Sequence, residues 1–68
     1  MNETIKTILE YSSENNGKIY GALLREDSSI SVRCYSGVFY ITMHFSNKKM
    51  ISFNCDKNTA LNKIKQNL

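Results

Sequence analysis

At 68 residues the chain suffices for one small domain, and a domain of this size buries only about 60% of the surface its unfolded form exposes, so its margin of stability is thin. Hydrophobic residues make up 41% of it, without an apolar run long enough to cross a bilayer as a helix. The net charge of +3 is unevenly spread: residues 1–29 carry Glu3, Glu10, Glu14, Glu26 and Asp27 against Lys6, Lys18 and Arg25, whereas residues 30–68 carry Arg33, Lys48, Lys49, Lys57, Lys63 and Lys65 against Asp56 alone.

The N-terminal stretch reads as an amphipathic helix of about three turns. Asn2 suits the N-cap and Glu3 complements the positive helix end. Ile5, Ile8, Leu9 and Ser12 recur at the spacing of one narrow face. The run from Ser12 to Gly17 then terminates it, since Asn and Gly tolerate the left-handed conformation of a C-cap. Lys18 to Arg25 reads as a first strand whose buried face stays open. A two- or four-residue turn after it buries Ile19 and Leu23, whereas a three-residue turn buries Tyr20, Ala22 and Leu24. Glu26-Asp27-Ser28-Ser29 supplies turn chemistry in either case.

From Ile30 to Cys55 the chain alternates strictly enough to fix most of a sheet. Ile30, Val32 and Cys34 share one face, and after Ser36-Gly37 so do Phe39, Ile41, Met43 and Phe45. A Ser-Gly pair between two such runs predicts a two-residue hairpin. Pairing Tyr35 with Val38 then sets Cys34 opposite Phe39, Val32 opposite Ile41 and Ile30 opposite Met43, and a slip of one residue would turn the apolar set toward water. For the next hairpin a loop of Asn47-Lys48-Lys49 keeps Ile51 and Phe53 inward, with Phe45 opposite Ile51 and Met43 opposite Phe53. Asp56 then caps a last helix that runs to the end of the chain, with Ala60, Leu61, Ile64 and Leu68 on one stripe.

Two helices with one greasy stripe each, and a sheet with one greasy face, pack with both helices on the same side. The expected fold is therefore α+β: residues 1–68 form a single domain of helix, four-stranded antiparallel meander and helix. The order of sheet followed by helix is similar to that of the single-stranded-DNA-binding domain of transcriptional coactivators; the leading helix departs from it and no sequence motif is shared.

Chemistry-bearing patterns are sparse. Cys34 and Cys55 would lie on strands either side of a central one, about 9.5 Å apart, too far for a disulfide, and they read as reduced, buried small hydrophobes. Two cysteines and His44 leave a zinc site short of ligands. His44 has no carboxylate expected beside it to orient it as an acid or base. Phosphate-binding glycine loops, nucleophile elbows and paired carboxylates are missing from the sequence. The reading is a protein that is not an enzyme and needs no cofactor or metal.

What remains is the outer sheet face, with Ser31, Arg33 and Tyr35, then Val38, Tyr40, Thr42 and His44, then Met50, Ser52 and Asn54. Arg33, Tyr35, Tyr40 and His44, with Lys48 and Lys49 at a loop tip, are the candidate partner-binding residues, since Tyr and Arg are enriched where proteins meet. The expected role is a small protein-binding module, such as an inhibitor or adaptor from a phage or mobile element, whose AT-rich coding bias the abundance of Asn, Lys, Ile and Ser would fit. The alternative is nucleic-acid binding, with aromatics stacking on unpaired bases and Lys48, Lys49 and Lys57 reaching phosphates. A third expectation is a homo-oligomer that buries Val38, Tyr40 and Met50 between copies. No membrane partner is expected, and the polar N-terminus, unlike a secretory signal, points to the cytoplasm.

Overall fold

The computed structural model describes residues 2–25, 27–46 and 48–68. In chain order it has helix α1 (Asn2–Glu14), strands β1 (Ile19–Arg25), β2 (Ser28–Tyr35), β3 (Val38–His44) and β4 (Met50–Cys55), and helix α2 (Lys57–Gln66). The strands form one open antiparallel sheet in the order β1-β2-β3-β4, so every strand pairs with its neighbour in sequence. This is the α+β architecture that the alternation predicts.

The β2–β3 hairpin carries the expected register throughout, with Tyr35 opposite Val38, Cys34 opposite Phe39, Val32 opposite Ile41 and Ile30 opposite Met43. Ser36 and Gly37 both take positive φ, 52° and 81°. That is the turn whose twist matches a right-handed ribbon. Ile30, Val32, Cys34, Phe39, Ile41 and Met43 are all buried on one side, where Ile5 and Ile8 of α1 and Ala60 and Ile64 of α2 cover them. Alternation in the strands and a three-to-four-residue stripe in the helices thus converge on one core.

The hairpin between β3 and β4 differs from the sequence reading. Met43 pairs with Ile51, not Phe53, and Phe53 pairs with Ile41; His44, not Ser46, faces Met50. The Phe45 amide donates to the Lys49 carbonyl at 2.9 Å and the Lys48 amide to the Phe45 carbonyl at 3.0 Å, while Lys48 takes φ 65°. The loop therefore begins one residue earlier than expected, which moves the register by two and leaves every side chain on the face foreseen for it. Asn47, expected in this loop, lies outside the described residues.

For β1 the structure buries the set expected only with a three-residue turn, although Arg25 pairs with Ser28, the spacing expected to bury Ile19 and Leu23. Tyr20 faces Val32 and Ala22 faces Ile30, and a bulge between Leu23 and Arg25 absorbs one extra residue. Leu24 is thereby buried and Tyr20 and Ala22 pack against the core. Ile19 and Leu23 are left on the opposite side of the sheet, 67% and 78% exposed.

The helix ends follow from local chemistry. Asp56 extends the strand direction at φ −82° and ψ 173° and accepts from the Thr59 amide, as a good N-cap should. Helix α2 stops at Gln66, two residues short of the expected end, because the Asn67 amide turns back to the Ile64 carbonyl. Helix α1 runs on to Glu14. Beyond it Gly17, at φ 86°, donates its amide to the Cys34 carbonyl at 2.7 Å, and the Asn16 side chain accepts from the Ser36 amide at 2.9 Å. The loop after the helix is clasped to the end of the central hairpin. The N-cap role expected of Asn2 rests on a side chain outside the described residues, as does the contribution of Glu26 to the β1–β2 turn.

Two features of the packing give measurable consequences. Ser12 is fully buried in the inward stripe of α1, and its hydroxyl has no hydrogen-bond partner among the described residues. Because a buried orphan hydroxyl costs about 1–3 kcal/mol of desolvation, Ser12→Ala is expected to raise the denaturation midpoint, read by urea titration. At Gly37 a Cβ would meet nothing within 4 Å. The expected loss of about 1–2 kcal/mol in Gly37→Ala therefore isolates the backbone strain of an L-residue in the left-handed region.

Candidate functional site

The helices cover one side of the sheet, and among the described residues nothing covers the other. Register converts this face into rows of side chains running across the strands. One row is Ile19, Arg33, Tyr40 and Asn54; the next is Gly21, Ser31, Thr42 and Ser52; a third is Leu23, Ser29, His44 and Met50. Tyr35 and Val38 flank the first row beside the Ser36-Gly37 turn.

The middle row is uniformly small, so the face is a shallow trough with taller walls. Thr42 and Ser52 share a hydrogen bond of 3.2 Å on its floor. Above this part of the ladder lies an open depression of about 450 Å³, bounded by Tyr40, Thr42, Ser52 and Asn54. The walls are aromatic, aliphatic and cationic: Tyr35 is 50% exposed, Tyr40 45% and Met50 61%. The Arg33 guanidinium carbon sits 5.7 Å from the centre of the Tyr35 ring. Such a contact holds the cation against an aromatic face rather than letting it sweep through solvent. No described strand residue pointing to this side is acidic, so Arg33 sets its electrostatic sign.

The structure thus brings Arg33, Tyr35, Tyr40 and His44 to one exposed surface. Arg33 and Tyr40 are directly opposite each other, and His44 lies in the far wall, paired with Ser29 and Met50. Lys48 and Lys49 are exposed at the β3–β4 loop, beyond the end of the trough on the His44 side. Ile19 and Leu23 join the surface unforeseen, because only the bulge at Leu24 decides which side of β1 faces out. The signal available in the sequence is Tyr20-Ala22-Leu24 as one alternating set, but with the bulge invisible in the sequence it carries no more weight than its rival.

The titratable groups near the last strand point to structure rather than chemistry. Cys34 and Cys55 both pair with Phe39, one on each side, which keeps the thiols two strands apart. Both are free cysteines. Burial pushes the Cys55 thiol up, only partly offset by a hydrogen bond from Thr59 and by Lys63. Its nucleophilic thiolate is correspondingly disfavoured at neutral pH. The Thr59 hydroxyl and amide hold the Asp56 carboxylate below its ordinary value. Among the described residues no group of three or more His, Cys, Asp or Glu is placed to hold a metal ion, and no helix is long and apolar enough to cross a membrane.

Comparison with protein-family models, with curated proteins and with solved structures finds no match to this chain.

The capping carboxylate supplies a pH test of the β4–α2 junction. Because Asp56 titrates lower in the folded chain than in the unfolded one, its contribution is fully present above the ordinary aspartate value of about 3.9 and is lost as pH falls through the depressed folded value. Asp56→Asn keeps an acceptor for the Thr59 amide, and is expected to flatten the acid limb of stability against pH measured by circular dichroism.

Proposed function

We propose that this chain is a non-enzymatic protein-binding module, an inhibitor or adaptor acting in the cytoplasm, which docks a partner on the bare face of its sheet. The observation that carries this reading is the row Ile19, Arg33, Tyr40 with Leu23 and Met50 across the trough: large apolar groups and an aromatic-backed arginine on a surface that the chain's own helices leave uncovered. Protein interfaces are enriched in Tyr, Met and Arg and poor in carboxylates at their centre. A face without acids and with Arg33 near its middle suits a partner segment that brings carboxylates amid aliphatic side chains.

Nucleic acid is the rival occupant, favoured by the pairing of Arg33 with Tyr35 and by the absence of acids beside it. Ile19, Leu23 and Met50 weigh against it, since aliphatic side chains offer neither a stacking plane nor a phosphate contact. The two loop lysines stand beyond the trough and do not line it with charge.

Affinity capture with the wild-type chain, compared with Arg33→Ala and Tyr40→Ala, tests the reading. Both side chains are exposed, so the variants should retain the wild-type circular dichroism spectrum. Each is expected to weaken the captured complex by roughly tenfold or more, as central aromatic and arginine anchors do. Equal capture by both variants overturns the assignment of this face. A shift of an oligonucleotide at ~50 mM salt that fades as salt rises would transfer the face to nucleic acid.

A further inference from the structure

The two edges of the sheet are built differently. The β1 edge is interrupted by the bulge at Leu24 and ends on Arg25. The β4 edge, Met-Ile-Ser-Phe-Asn-Cys, runs from Met50 to Cys55 with no charge, no proline and no bulge. Those are the devices by which proteins ordinarily block an edge from accepting another strand, and β4 has none of them.

The hydrogen-bonding groups on this edge can be assigned. The Phe45 amide donates to the Lys49 carbonyl, which makes that pair hydrogen-bonded, and antiparallel ladders alternate from there. Ile51, Phe53 and Cys55 therefore bond to β3, whereas the amides and carbonyls of Met50, Ser52 and Asn54 point away from the sheet.

We propose that two copies of this chain pair β4 to β4 about a two-fold axis at Ser52, extending the meander into one continuous eight-stranded antiparallel sheet. In that register Ser52 faces Ser52 of the second copy and Met50 faces its Asn54, so all the outward backbone groups of the strand find partners. Ile51 meets the second copy's Phe53 as a close, non-hydrogen-bonded pair. Both side chains are only half-buried in one chain, and the pairing covers them reciprocally, as a two-fold interface requires.

The bare face is not consumed by this pairing. It becomes twice as wide, with two Arg33-Tyr40 rows side by side. Because one six-residue strand covers less than the ~1,200 Å² of a standard interface, association in the micromolar range is expected.

Sedimentation equilibrium over ~1–500 μM is expected to show reversible monomer–dimer exchange. Ser52→Lys sets two ammonium groups against each other across the axis and should weaken the dimer by roughly tenfold or more. The spectrum should stay that of the folded chain, since Ser52 is exposed and its amide is not used by β3. Ser52→Cys reads the register without demanding dissociation: mild oxidation should crosslink it far faster than Asn54→Cys or the wild-type chain, as its two Cα atoms would lie about 5.5 Å apart. A chain that stays monomeric throughout the range overturns the proposal, and so does a dimer that Ser52→Lys leaves intact or that crosslinks equally through position 54.

Discussion

The β2–β3 hairpin is the constraint from which the remainder of the molecule follows. Two residues in left-handed backbone at Ser36 and Gly37 set a register in which six apolar side chains meet pairwise, and the side-chain period of two then decides everything else about the sheet. Once Phe39, Ile41 and Met43 are committed to the side the helices cover, Tyr40, Thr42 and His44 have only the other side to occupy. The core and the candidate site are the two faces of one alternation.

That coupling explains why the bare face can hold large apolar groups without spoiling the fold. The outward side chains contribute cross-strand contacts such as the Thr42–Ser52 bond, but none is needed to bury the core. The edge of β4 obeys the same logic. Its inward residues are half-buried, with Lys63 drawn over the Phe53 ring at 5.4 Å; the alkyl stem of a lysine can cover apolar surface while its ammonium stays in water. The edge is thus softened from the inside while its backbone groups stay open on the outside.

Much of this was legible in the residues, and the exceptions have specific causes. Alternation in 30–45 and the Ser-Gly turn were enough for the central register, and the stripe through Ala60 and Ile64 was enough to place α2. The β3–β4 register was not, because moving a loop by one residue at each end preserves which side every residue faces. Only the left-handed backbone at Lys48 separates the two solutions, and lysine is not a residue that announces positive φ. The facing of β1 was undecidable for a related reason: a bulge is an insertion that periodicity cannot see. So alternation alone places Arg33, Tyr35, Tyr40 and His44 on one surface, while the position of Ile19 and Leu23 depends on the bulge.

The meander order carries a consequence for how the chain assembles. Since each strand pairs only with its neighbour in sequence, the sheet can zip from its central turn outward through short loop closures, and such local topology favours fast folding. The exception is the clasp of Asn16 and Gly17 on the Ser36 amide and the Cys34 carbonyl. It joins the end of the N-terminal helix to a turn 20 residues further on, a longer loop closure than any of the hairpins requires, and so a larger entropic cost for the one contact that ties the helix to the ribbon.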